Sequence, residues 1–130
     1  MRILLDTHLL LWSVASSRRL PKAARAIILD PQNEAYYSAA SIWPVSIKSG
    51  MNRKDFTVDP QALVSALAQS GFIELPVSAA HAAGVVALPA IHRDPFDRML
   101  VAQAYAEPMT LLTNDVALTG YGPLVKLVPE

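Results

Sequence analysis

The sequence predicts a single α/β domain in which helices cover both faces of a central parallel sheet. Short apolar runs alternate with helical patterns along the whole chain, as expected of strands joined by helical crossovers. Of the 130 residues, 52% are apolar and 17% are charged, so the chain has enough apolar residues to form a buried core. A chain of this length is too short to form two independent cores. We therefore treat residues 1–130 as one domain.

The elements follow from the pattern of apolar residues and from proline and glycine. Candidate strands are short apolar runs at 2–5, 35–38, 72–75, 110–113 and 125–128. Helices are predicted between them, at 8–14, 22–29, 41–48, 61–69, 79–88 and 96–106. An Asp-Pro pair marks the start of two of these helices, at Asp59 and Asp94. Proline is favoured at the first helical position because the N–H that it lacks would have no partner there. The polar connection at 51–58 is the predicted mobile loop.

Composition excludes several classes of function. Basic and acidic residues number 11 each, so net charge alone gives no general affinity for nucleic acid or membrane. There is no cysteine, which excludes disulfides, thiolate metal sites and cysteine nucleophiles. Asp6 and His8 interrupt the apolar N-terminal stretch, so we expect neither a signal peptide nor a membrane span there. A cytoplasmic protein is the expectation.

Acidic residues follow two of the predicted strands at the points where these strands end. Asp6 comes directly after 3–5, and Asp115 follows 111–113. Because ligands bind beyond the carboxyl ends of parallel strands, both residues are candidates for a functional site. Aspartate is also a favoured N-cap, and each residue precedes a predicted helix or turn. The sequence alone leaves both roles open.

Asp94 and Asp97 have the same two interpretations, since their spacing resembles a capping box. The Asp-Pro pairs at Asp30 and Asp59 have no second acid three residues later. Asp97 therefore distinguishes the pair at Asp94 from an ordinary helix start. Carboxylates that converge in a crevice would repel one another unless a cation were bound, and oxygen ligands favour Mg²⁺ or Mn²⁺. Such a site suits a nuclease or a phosphatase.

Four segments together carry a resemblance to a known family. They are Leu5-Asp6-Thr7-His8-Leu9-Leu10-Leu11-Trp12, Ser38-Ala39-Ala40-Ser41-Ile42-Trp43, His92-Arg93-Asp94-Pro95-Phe96-Asp97-Arg98-Met99-Leu100-Val101-Ala102-Gln103-Ala104 and Leu111-Leu112-Thr113-Asn114-Asp115. In this order they resemble the PIN domain, and within it the VapC-type toxins of type II toxin–antitoxin systems. The resemblance implies a three-layer α/β/α sandwich, an Mg²⁺- or Mn²⁺-dependent endoribonuclease, a cognate antitoxin and a homodimer.

The resemblance also assigns roles by position. It implies metal ligands at three positions: Asp6, Asp97 and Asp115. Asp94 is an additional acid of the catalytic region, expected to be a cap or an outer group. Thr7 and Thr113 would orient the acids by hydrogen bonding. RNA is held through its phosphates, so three basic residues are candidate contacts, with a solvated surface position as the alternative: Arg98, Arg93 and Lys48.

One position departs from the family pattern. After Ser-Ile-Trp the family has a glutamate, whereas this chain has Pro44, which offers no ligand atom and no N–H. We therefore expect weaker metal binding and reduced activity. If Ser41 is the N-cap, Pro44 falls in the first turn, and the helix starts late or bends. A degenerate toxin, a substitution introduced to permit production, and partial activity using Asp94 or water are all compatible with the sequence.

Two alternatives to the nuclease stay open: a PIN-fold module that binds antitoxin or RNA without cleavage, and a phosphatase that uses the same acids. The three histidines are not spaced as a metal set, and a structural role is predicted for each. Trp12 and Trp43 are predicted to pack in the core or under the antitoxin.

Overall fold

A computed structural model describes residues 1–51 and 58–129, which form one parallel sheet with helices on both faces. The strands are β1 (Arg2–Leu5), β2 (Glu34–Ser38), β3 (Ile73–Leu75), β4 (Thr110–Thr113) and β5 (Val125–Leu127). Their order across the sheet is β3-β2-β1-β4-β5, and every pairing is parallel. The predicted fold class is confirmed. Most of the predicted loop at 51–58 lies outside the described residues.

The helices occupy the predicted gaps. They are α1 (Thr7–Val14), α2 (Lys22–Leu29), α3 (Ala39–Gly50), α4 (Pro60–Gln69), α5 (Ala79–Gly84) and α6 (Pro95–Ala106). Two 3-10 segments follow, at Val85–Ala87 and Val116–Tyr121. The helix predicted at 79–88 therefore ends at Gly84 and continues as a 3-10 turn. Across the residues that the structure describes, no helix has the length and apolar character needed to cross a bilayer.

The two layers of helices pack on opposite faces of the sheet because side chains alternate along each strand. In β1, Ile3 and Leu5 belong to one buried cluster, together with Leu9 of α1 and Leu67 of α4. Leu4 points the other way and joins a second cluster, to which α6 contributes Leu100, Val101 and Ala104. Strands that are buried on both faces read as continuous apolar runs, as this one does.

The start of α3 differs from its prediction. Ser38, not Ser41, is the N-cap, and its hydroxyl accepts a hydrogen bond from the Ala40 N–H at 3.0 Å. Pro44 consequently lies inside the helix and not in its first turn. The late start expected from Ser41 is wrong, because Ser41 is buried in the helix and accepts a hydrogen bond from the Thr7 hydroxyl at 2.9 Å.

The strand order creates a crevice at one edge of the sheet. From β1 the chain continues to β2 on one side, while β4 pairs with β1 on the other, with Leu5 opposite Leu112. In open α/β sheets this reversal of strand order is where ligands bind, beyond the carboxyl ends of the strands. Asp6 follows β1 and Asp115 follows β4 at this point.

Candidate metal centre at the carboxyl edge of the sheet

Asp6 is held at the end of β1 by hydrogen bonds to both of its carboxylate oxygens. Oδ1 accepts from the Leu9 N–H at 2.9 Å, which makes Asp6 the N-cap of α1, and Oδ2 accepts from the Thr113 hydroxyl at 2.5 Å. The residue is 3% exposed. Burial raises the pKa of the Asp6 carboxyl, although both hydrogen bonds oppose the shift. Capping of α1 therefore explains where Asp6 lies, but it does not explain why a carboxyl group is buried there.

Thr113 connects the acid after β1 to the acid after β4. Its hydroxyl donates to Asp6, and the same oxygen accepts from the Asp115 N–H at 3.0 Å. Asp115 caps the 3-10 segment through Oδ1, which accepts from the Ala117 N–H at 3.0 Å. Its Oδ2 atom is 4.0 Å from Nε2 of His92. One buried threonine therefore links the carboxylate of Asp6 to the backbone of Asp115.

The N-terminus of α6 supplies the other two acids. Asp94 is exposed and caps the helix, accepting from the N–H groups of Phe96 at 2.8 Å and Asp97 at 3.4 Å. Asp97 lies one turn in, and its Oδ2 is 2.9 Å from His92 Nε2. Burial raises the pKa of Asp97; the hydrogen bond from His92 lowers it, and the charges of Asp94 and Asp6 raise it further. Asp6 and Asp97 are thus close enough to repel.

His92, Asp97 and Asp115 bring one nitrogen and two carboxylate oxygens within 4.8 Å of one another. The chemistry of this donor set fits a divalent cation such as Mg²⁺ or Mn²⁺, which would also relieve the repulsion between the acids. The sequence analysis missed His92. Its only local signal is its place five residues before Asp97, because a fold in the intervening segment brings the two together.

Two predicted residues make contacts other than those expected. Thr7 donates its hydroxyl hydrogen to Ser41 and not to an acid. The Arg98 guanidinium donates to the carbonyls of Pro89 and Val85, at 3.0 Å and 3.2 Å, and to the Tyr121 hydroxyl at 3.2 Å. Arg98 therefore holds the segment before α6, and its donors are engaged within the fold.

A cleft of about 550 Å³ lies between α3 and the start of α6, and Asp94 is the one of the four acids in its described lining. Its lining includes Pro44, Lys48, Arg93 and Asp94, so the position of the family's glutamate faces the same cleft as two candidate phosphate contacts. Trp43 stands at this surface with 66% exposure, in an edge-to-face contact with Phe96. Trp43 therefore does not pack in the core, and its packing under the antitoxin stays a prediction.

His81 has the structural role predicted for it. It is buried, its Nδ1 accepts from the Ser78 N–H at 3.0 Å, and the Ser78 hydroxyl accepts from the His81 N–H at 3.1 Å. This reciprocal pair is a capping box at the start of α5. Nε2 of His81 lies 2.5 Å from a carboxylate oxygen of Glu107, which ties α5 to the end of α6. Both ring nitrogens are therefore used within the fold.

Comparisons with known proteins agree with this architecture. A sequence search of curated proteins found no match. The fold is similar to VapBC2 from Rickettsia felis bound to a promoter DNA fragment, at a TM-score of 0.67 and 18% identity over 100% of this chain and 98% of that one. It is also similar to FitAcB from Neisseria gonorrhoeae, at 0.60 and 20% identity over 88% of each chain.

A toxin–antitoxin complex from Klebsiella pneumoniae matches at a TM-score of 0.59 and 21% identity, over 96% of this chain and 99% of that one. At such identities these structures show the fold alone. The family comparison goes further, because the PIN domain model matches residues 3–121, nearly the whole chain. With its acids at the strand-order reversal of a parallel α/β/α sandwich, the chain belongs to the PIN domain family.

Proposed function

We propose that this PIN domain is a VapC-type toxin, an Mg²⁺- or Mn²⁺-dependent endoribonuclease that a cognate antitoxin neutralises. PIN domains are generally nucleases. The observation that carries the proposal is the meeting of Asp97 and Asp115 with His92 within 4.8 Å, beside the buried Asp6. Buried acids with raised pKa values, gathered in a crevice, are typical of a site that binds a cation.

Each acid has a distinct part in the proposed site. Asp6, Asp97 and Asp115 would hold the cation, which would supply an activated water and neutralise charge that develops on the phosphodiester. Thr113 links the Asp6 carboxylate to the Asp115 backbone through its hydroxyl. Asp94 stays at the rim, where its carboxylate caps α6 and positions Asp97.

The RNA backbone would run through the cleft between α3 and α6. Arg93 and Lys48 line it and offer positive charge to phosphates next to the acids. Arg98 stays a predicted contact, but its hydrogen bonds to two carbonyls and to Tyr121 favour a role in holding the site together. The chain's zero net charge makes these local cations necessary.

Pro44 is the reason to propose reduced activity. It lines the same cleft as Asp94 and Arg93, and it brings no carboxylate to a place where the family has one. A site with one negative charge fewer attracts a divalent cation less strongly. The same observation supports the second candidate function, a PIN module that binds antitoxin or RNA without cutting it.

An antitoxin and a second copy of the chain are the proposed partners. The solved structures with similar folds include toxin–antitoxin complexes. A groove of about 530 Å³ between α1 and α4, lined by Leu11, Trp12 and Leu63, supports the docking of an apolar antitoxin segment. Trp43, Ile47 and Met51 are exposed at intervals of four residues on and just after α3, which supports self-association.

Cleavage of a mixed structured RNA pool tests the proposal. The chain is compared with Pro44→Glu and with Asp97→Asn, each in Mg²⁺, in Mn²⁺ and in chelator. Cleavage that is stronger in Pro44→Glu, absent in Asp97→Asn and abolished by chelator is the expected result. If Pro44→Glu cuts no RNA in either metal, the nuclease proposal fails, and RNA binding without turnover would favour the non-catalytic module.

A further inference from the structure

His92 occupies a position in the site that a structural histidine does not require. Its Nε2 atom is 2.9 Å from Asp97 Oδ2 and 4.0 Å from Asp115 Oδ2. The side chains of His92 and Asp97 are each 23% exposed, so both reach the crevice without being fully solvated. The imidazole nitrogen therefore points between two carboxylates that come from different segments of the chain.

The backbone of His92 is fixed by a network that does not include the acids. Its N–H donates to the Tyr121 hydroxyl at 3.0 Å, and that oxygen also accepts from Arg98 at 3.2 Å. Arg98 in turn holds the carbonyls of Pro89 and Val85. The segment that leads into α6 is thus held at several points, and the imidazole is presented by a rigid support.

We propose that His92 is a direct ligand of the divalent cation, through Nε2. This inference rests on the proposed metal-dependent function. Nε2, one oxygen of Asp97 and one oxygen of Asp115 already lie within 4.8 Å of one another, as the ligands of a single ion do. Asp6 is not one of these three residues, and its carboxylate already accepts hydrogen bonds from Leu9, Thr113 and Asn114.

The donor set determines which metal the site prefers. Mg²⁺ favours oxygen ligands in an octahedral arrangement and holds nitrogen ligands weakly. Imidazole nitrogen suits metals later in the first transition row, and Mn²⁺ accepts both donor types. A site with His92 as ligand should therefore bind Mn²⁺ more tightly than Mg²⁺, and the difference should shrink when the imidazole is removed.

The alternative role for His92 predicts the opposite sign. In that role the imidazole would only occupy the carboxylates of Asp97 and Asp115, and a metal would have to displace it. Removing a competitor would strengthen metal binding, whereas removing a ligand weakens it, commonly by about tenfold or more. The direction of the change in affinity thus separates the two roles.

Titration calorimetry with Mn²⁺ and with Mg²⁺, on the apo chain and on His92→Ala, tests the proposal. The alanine variant retains the backbone N–H that binds Tyr121, and its circular dichroism and melting temperature check that it is folded. His8→Ala is the matched control, since His8 is an exposed histidine on α1. We expect His92→Ala to lose about tenfold or more in Mn²⁺ affinity, less for Mg²⁺, and His8→Ala to lose little.

Pulsed electron paramagnetic resonance of Mn²⁺ bound to the unmodified chain gives a second readout that needs no variant. Coupling to a histidine ¹⁴N nucleus is expected, and it should disappear in His92→Ala. Absence of this coupling, or an affinity that is unchanged or higher in His92→Ala, overturns the inference. Neither readout depends on RNA cleavage: a chain that cuts RNA without the ¹⁴N coupling refutes the role of His92 alone. If the chain binds Mn²⁺ through nitrogen and Pro44→Glu cuts no RNA, the nuclease alone is refuted.

Discussion

Replacing Pro44 with alanine is expected to stabilise the protein. Pro44 lies inside α3, where it lacks the N–H that would donate to the Ala40 carbonyl, and an interior proline costs about 3 kcal/mol relative to alanine. Alanine also raises the conformational entropy of the unfolded chain, which lowers the free energy of unfolding by about 0.7 kcal/mol. It also removes a half-buried ring, which forfeits about 0.8 kcal/mol of burial. The free energy of unfolding should rise by about 1.5 kcal/mol.

The assay is urea unfolding followed by circular dichroism, with thermal melts alongside, both in chelator so that metal binding does not contribute. At about 2.1 cal/mol/K of unfolding entropy per residue, the gain corresponds to about 5 °C in Tm. Pro60→Ala is the matched control. Pro60 is the first residue of α4, directly after the Asp59 cap, where no N–H partner is needed, so its replacement should give no gain.

Comparing Pro44→Ala with Pro44→Glu separates the effect of the restored N–H on α3 from the effect of a new negative charge. Pro44→Glu restores the N–H in the same way, but its carboxylate lines the cleft beside Asp94, so its gain in stability should be smaller than that of Pro44→Ala. A Pro44→Ala variant that is no more stable than the original chain would refute the reasoning. An equal gain in Pro60→Ala would do the same, because the effect would then not come from the interior of α3.

Three further outcomes can be measured by the same unfolding experiments. Burial raises the pKa of Asp6, so the contribution of its carboxyl to stability falls as the pH rises through the folded-state pKa. The advantage of Asp6→Asn in chelator should therefore grow as the pH rises above about 3.9, the ordinary pKa of an aspartate, and an advantage independent of pH would contradict this. Gln103→Leu should cost about 2 kcal/mol, because the buried Ser38 hydroxyl loses its acceptor, and a neutral result would show that another acceptor replaces it. Gly122→Ala should cost about 2 kcal/mol or more, since φ is 116° and a Cβ would meet the Tyr105 hydroxyl; adding Tyr105→Phe should recover part of the loss.

The sheet was predictable because its signals are local. Each strand is a short apolar run, and the Asp-Pro pairs at Asp59 and Asp94 mark helix starts through the fixed φ of proline and the capping carboxylate. The start of α3 was not predictable in this way, since Ser38 and Ser41 are equally good caps in sequence. The decision is made by Gln103, whose side chain accepts from the Ser38 hydroxyl from 65 positions away.

The residues of the site also differ in whether local sequence signals predict them. The positions of Asp6 and Asp115 followed from a rule about strand ends, which requires only that the strands be identified. The position of His92 could not be predicted in this way, because it depends on a distant residue. The hydroxyl of Tyr121, which follows β4 in the chain, accepts a hydrogen bond from the His92 N–H. Arg98 looked like a surface cation for the same reason: its acceptors at Pro89 and Val85 become neighbours only after the segment between α5 and α6 folds back.

The link between Thr113 and Asp6 joins residues that are 107 positions apart in the chain, and β1 is flanked by a strand made early and a strand made late. During translation the first strand must wait, with one edge unpaired, until β4 has emerged from the ribosome. An incomplete product that ends before β4 cannot assemble the acidic site. Only nearly finished copies of the chain can therefore bring Asp6 and Asp115 together.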